Sequence, residues 1–253
     1  MKGYTPNSRS YWLIVLSLGL ASLFIFAAMY SVQPLLPLYT EEFNISISTS
    51  SLTMSLPTIS LIAGLIVLGF LSDRHGRVLF IKLSTFLTLI LLLCIPLMES
   101  FTAIATLRFI QGFTLAGVPA ASLAYISEEI DGKHRALVTA FYISCNALGG
   151  MIGRVVAAYV SEHQSWEYSF FYLGLGGLLI LLFVLIYLPK SKNFTPSERT
   201  LKRDFQGFYL HLKNPVLLLM FGLGIALQMS FTGMWTYLPF HLIAPPYSMS
   251  LDA

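Results

Sequence analysis

The sequence predicts an all-α integral membrane protein that crosses the bilayer seven times, and three observations predict it. Hydrophobic residues make up 56% of the chain and charged residues 11%, against about 45–50% and about 25% in soluble domains. The apolar residues fall into uninterrupted runs of the length a helix needs to cross hydrocarbon, about 20 residues at roughly 1.5 Å each. Lysine and arginine gather in alternate loops only, the pattern of a multi-pass chain.

In order, the runs are 11–33, 50–71, 78–98, 101–126, 136–160, 168–188 and 215–239, separated by charge, turn or proline signals. Lys2 and Arg9 precede the first, as in a signal peptide. Its apolar run exceeds the roughly 7–15 residues of such a segment, and six more follow, so it is read as a retained helix. Thirteen of the fifteen basic residues lie in four segments. Segment 1–10 holds Lys2 and Arg9; 72–82 holds Arg74, Arg77 and Lys82; 127–135 holds Lys133 and Arg135. Segment 189–214 holds Lys190, Lys192, Arg199, Lys202, Arg203 and Lys213. Loops 34–49, 99–100 and 161–167 and the tail after 240 hold none. Basic loops stay inside. The protein is therefore expected in the cell membrane with a cytoplasmic N-terminus.

Three parts follow: a six-helix bundle over 1–188, a cytoplasmic loop over 189–214, and one helix with an outer tail over 215–253. In the loop, Thr195-Pro196-Ser197-Glu198 has the form of a capping box. Leu201, Phe205, Phe208, Tyr209 and Leu212 then recur at helical spacing among Lys202, Arg203 and Lys213. That pattern predicts a helix lying on the anionic inner membrane surface, the plainer reading being a solvated basic linker.

The turn joining the second and third runs reads Gly69-Phe70-Leu71-Ser72-Asp73-Arg74-His75-Gly76-Arg77-Val78. Gly69 permits close backbone approach, and Gly76 permits the positive φ of a tight turn. Asp73 can accept from a helix N-terminus, while Arg74 and Arg77 can pair with carboxylates or helix-end carbonyls. Such a turn can lock helix groups in one conformation and release them in another.

This turn resembles the signature loop between the second and third helices of the major facilitator superfamily. Gly69, Leu71, Asp73, Arg74, Gly76 and Arg77 match it, and Val78 departs from the usual basic residue. Gln33-Pro34-Leu35-Leu36-Pro37 closes the first run as in many members. Arg108, Gln111 and Gly112 resemble the family's arginine-x-x-glutamine-glycine motif. Gly149 and Gly153 keep the spacing of the glycine-rich motif of drug/proton antiporters, with Arg154 standing where that motif has proline. The resemblance implies a six-helix half-bundle of 3+3 inverted repeats, followed by the first helix of a second half. It implies that the signature loop stabilises one state of an alternating-access cycle. The second half is expected to be needed for function.

Outside the four basic segments Arg108 and Arg154 remain, both deep inside runs, and no acid lies in a run. A charge there costs about 2.5–3.5 kcal/mol on insertion scales, which marks it as functional. Both arginines sit at similar depth, roughly 9–12 Å below the outer boundary. Facing one cavity, they would attract an anion or a carboxylate of the second half. Tyr30, Gln33, Gln111, Tyr142, Asn146, Gln228 and Trp235 are the polar and aromatic residues available to line it. Gly149 and Gly153 read as close-packing positions.

All five histidines fall in loops or at run ends. Neither a metal site nor the clustered groups of a membrane hydrolase is expected, and no enzyme activity or cofactor. A retinal protein would need a lysine in the seventh run, which has none. Cys94 and Cys145 read as packing residues. The expected partners are the bilayer, a small-molecule substrate and protons, with no nucleic acid. The function expected is proton-coupled efflux of a small organic solute. Uptake of a sugar or organic acid is the alternative, as is a transport-incompetent piece with a structural role.

Overall fold

The structure, a computed structural model, describes residues 3–197 and 213–250. Among them, seven helical columns are long and apolar enough to span a membrane: Arg9–Glu42, Ile47–His75, Arg77–Leu97, Phe101–Glu129, Arg135–His163, Trp166–Tyr187 and Pro215–Ile243. Each predicted run lies within one of them or overruns it by a residue, and several columns are much longer than their runs. Span one shows why. Ser8 accepts from the Tyr11 amide and starts the helix. Regular helix stops at Tyr30, because Pro34 has no N–H to return. A tight turn over Gln33–Leu35 then restarts it as Leu36–Glu42 on the same column.

Prolines interrupt other spans in the same way, and neighbouring side chains cover what they free. Pro119 has no N–H for the Leu115 carbonyl, and span four breaks there into Phe101–Leu115 and Gly117–Glu129. The Ser84 hydroxyl of span three donates to the Thr114 carbonyl at 2.5 Å and reaches the Leu115 carbonyl at 3.4 Å. Hydroxyls on adjacent helices do this work where no water can.

The outer surface is apolar, unlike that of a soluble protein, and small polar residues are buried among the hydrophobic ones. Ser17, Ser22, Thr53, Ser60, Thr85 and Ser122 are buried, while Ile62, Leu179 and Ile186 point outward, Ile186 at 70% exposure. Water would penalise such a surface. Lipid does not, so helices associate through small residues and hydrogen bonds.

The packing order follows from those small residues. Span one packs on span five, span two on span four, and span three on span six. Exchanging spans one to three with spans four to six turns the first pair into the second and leaves the third unchanged. That is the symmetry of two inverted three-helix repeats. Glycines sit at both equivalent crossings. A Cβ on Gly149 or Gly153 of span five would strike the Leu23 or Ala27 backbone of span one. A Cβ on Gly112 of span four would strike Pro57 and Ser60 of span two.

Span seven starts at Asn214, whose side chain accepts from the Val216 amide at 3.0 Å, with Pro215 in the first helical position. It touches the end of span one and leaves most of its surface open. Thr236 is its one buried residue. Thr195, Pro196 and Ser197 lie outside any helix. Glu198 and the surface helix expected over 201–212 lie outside the described residues.

Candidate functional site

Three clusters contain the residues singled out by the sequence. The first is the turn between spans two and three. Gly76 alone separates the two helices, and its φ of 104° is open to glycine and strained for other residues. Arg77, the next residue, reaches back to Asp73 and to the Ser72 hydroxyl at 3.0 Å. It also crosses to Glu128 at the end of span four, at 2.9 and 3.1 Å. The Phe194 ring lies 5.9 Å from its guanidinium. Arg74 donates to the Phe70 carbonyl of its own helix at 3.1 Å. Leu71 is exposed. Gly69 does not make the close approach expected of it, since open space surrounds the position of a Cβ.

Sequence reasoning missed Glu128 and its neighbour because it closed the fourth run at 126. The helix continues to Glu129. Two adjacent acids after an acid-free run were the available signal. Glu129 is fully buried and accepts the backbone amides of Lys192 and Asn193 at 2.6 and 2.8 Å. With Tyr125 donating to the Pro189 carbonyl at 2.8 Å, it ties the end of span six to the end of span four.

The second cluster surrounds Arg108, which is completely buried. Its Nε donates to the Thr53 carbonyl at 3.1 Å. Four residues on from Thr53 stands Pro57, so no amide competes for that oxygen. Nη1 and Nη2 donate to the Ala28 and Met29 carbonyls at 3.0 and 2.7 Å. Those carbonyls belong to the last turn of the first helix, where carbonyls lack helical partners and the dipole favours a cation. Gln111, one turn along, accepts from Nη1 at 2.5 Å. Gly112 lets span two come close enough for all of this. Asn146 sits elsewhere, bonded to Ser22 at the crossing of spans one and five.

The third cluster is a chamber of about 430 Å³ between span seven and the ends of spans one and five. Its walls are mainly apolar, including Val155, Leu238 and Leu242. Arg154 is its charged residue. The guanidinium lies 4.5 Å from the Tyr30 ring centre, 4.9 Å from Trp235 and 5.7 Å from Phe231. Its Nε donates to Gln33 Oε1 at 2.6 Å, and the Gln33 amide reaches Thr236 at 3.4 Å. Gln228 reaches the Tyr30 hydroxyl at 3.5 Å. The structure therefore unites Tyr30, Gln33, Arg154, Gln228 and Trp235. It places Arg108 and Gln111 in a sealed interior rather than facing the same space. Phe231 was missed, although Gln228, Phe231 and Trp235 form a stripe at helical spacing.

A buried polar knot, a one-residue glycine turn and a chamber between helix groups, set in seven helices long and apolar enough to span a bilayer, are the features of a multi-pass membrane protein. The Major Facilitator Superfamily sequence model matches residues 18–251, and the chain belongs to that family. It is similar to a transporter of Buchnera aphidicola subsp. Schizaphis graminum, at 34% identity over 96% of this chain and 59% of the relative. It is similar also to the inner membrane transport protein YnfM of Escherichia coli (strain K12), at 33% identity over 99% of this chain and 59% of that one. The crystal structure of a bacterial homolog to the human lysosomal transporter Spinster, inward-facing and unoccupied, shares the fold. Its TM-score is 0.76 at 18% identity, covering 98% of this chain and 58% of that one. The chain thus spans 59% of the length of the two relatives.

Proposed function

We propose that this transporter moves a small organic solute by alternating access, coupled to protons and in the direction of efflux. The observation that carries the reading is the apolar chamber between span seven and the six-helix bundle, with an arginine in its wall. Two-half transporters bind their substrates between such helix groups. The Gly149 and Gly153 spacing supports efflux. Proton coupling needs a titratable group outside the described spans, whose interiors between the end turns hold no carboxylate or histidine. The remaining length seen in the relatives would supply that group and cover the open face of span seven. In everted membrane vesicles holding an acid interior, adding an exported solute should dissipate the pH gradient. Accumulation driven by protons in right-side-out vesicles would support the uptake alternative instead. Solute-dependent proton movement in neither orientation, across a panel of organic acids, sugars and drugs, would count against coupled transport.

In this reading the N-terminus and the end carrying Arg77 face the cytoplasm. The cluster of Asp73, Arg77 and Glu128 is the latch that closes that end, with Gly76 as its pivot. Single cysteines placed at Arg74 and Lys190 in a cysteine-free background should both react with an impermeant maleimide in everted vesicles and stay protected in intact cells. Labelling from opposite sides would overturn the threading.

A further inference from the structure

The chamber is lopsided in its chemistry. Arg154 Nη2 and Trp235 Nε1 are both buried and have no hydrogen-bond partner. The other polar groups around them are already engaged. Gln33 uses its oxygen on Arg154 and its amide on Thr236, and Gln228 turns to Tyr30 and to Thr232 at 3.1 Å. No carboxylate among the described residues pairs with Arg154. What remains is two buried donors without an acceptor, one of them permanently cationic, on side chains that line an apolar space. Three aromatic faces around the guanidinium offset part of its charge without consuming an N–H. Buried donors left unmade are costly, and an incoming acceptor with negative charge relieves that cost.

We infer that the chamber takes an amphipathic organic anion, a carboxylate carried on an apolar body. The carboxylate docks on Arg154 Nη2 and Trp235 Nε1, and the body lies against Val155, Leu238 and Leu242. The inference rests on the transporter reading of the same chamber and gives its substrate class. A cavity of this volume suits a molecule of drug-like or smaller size.

The test is binding of 4-phenylbutyrate and its neutral amide, 4-phenylbutyramide, to the chain in phosphatidylcholine nanodiscs, followed by titration calorimetry. The expected result is a preference for the carboxylate of about ten-fold or more, the scale of hydrogen bonds to a charged group. In Arg154→Gln that preference should vanish. Arg154→Lys should restore part of it by keeping the charge. If Arg154→Gln fails to fold, Trp235→Phe removes the second donor and keeps the ring, and should weaken the carboxylate several-fold. Equal binding of the two probes would overturn the anion class and leave the chamber as a site for neutral solutes. Binding of neither would sink the chamber reading and the inference together. Phosphatidylglycerol added to the nanodiscs should leave carboxylate affinity unchanged. Displacement by that lipid would assign the guanidinium to a headgroup and overturn the proposal.

Discussion

Arg108→Ala is expected to destabilise the six-helix bundle by about 3–5 kcal/mol, the scale of breaking a buried charged network from one side. The side chain donates to three carbonyls on two other spans, and each of those oxygens is exposed by a local break in helical bonding. Removing the guanidinium leaves the Thr53 and Met29 carbonyls in a dry interior at about 1–3 kcal/mol each, while the Ala28 carbonyl keeps the Ser31 hydroxyl at 3.2 Å. Relief of the charge's own desolvation offsets part of that sum. The measurement is the unfolding midpoint of purified protein in detergent, which should fall by roughly ten degrees. Pro57→Ala supplies a second check. It returns an amide to Thr53, so the double variant should lose less than the two single losses predict, by about 1 kcal/mol. An unchanged midpoint for Arg108→Ala at normal insertion would remove the guanidinium from the structural account and leave it free for a role in transport.

Gly149→Val is expected to prevent spans one and five from closing. A Cβ at Gly149 would collide with the Leu23 carbonyl oxygen and come within 2.8 Å of its Cα, so the clash is with backbone that cannot rotate away. Overpacking of this kind costs about 1–3 kcal/mol and occasionally more, and valine adds two further atoms at the same place. The upper end of that range is expected. Gly176→Val is the matched control, since nothing lies within 4 Å of a Cβ there. It should change stability by no more than about 0.5 kcal/mol. Size-exclusion profiles in detergent should show Gly149→Val as aggregated and Gly176→Val as monodisperse. Equal behaviour of the two would mean that the crossing of spans one and five tolerates separation.

The spans themselves were legible because a long apolar run has few alternatives, and lysine and arginine divide them into two ends. Their lengths were not. Helix resumes past Pro34 and runs past residue 126 for reasons of packing, and neither continuation leaves a hydropathy signal. The arginine-and-glycine turn was legible at Gly76, where backbone geometry demands the residue, and misleading at Gly69, where nothing approaches. The two arginines inside spans looked alike from residue type and depth. Their fates differ because Arg108 meets carbonyls released by Pro57 and by the end of the first helix, whereas Arg154 meets rings and a cavity. That distinction depends on which face of which neighbour comes close, and one chain's spacing does not encode it locally. Glu128 and Glu129 were lost to a boundary drawn three residues early.

The pairing of opposite repeats also sets an order on biosynthesis. Ala28, Met29 and Thr53 leave the ribosome before Arg108, so that cation enters a membrane where its acceptors already wait. The crossing of spans one and five joins residues 124 positions apart, as Ser22 and Asn146 are. At a synthesis rate of about 5–20 residues per second, span one must wait roughly 6–25 s for its partner. Through that interval the small-residue face of the first helix is uncovered in lipid, and a chaperone or the insertion machinery has its opportunity to hold it.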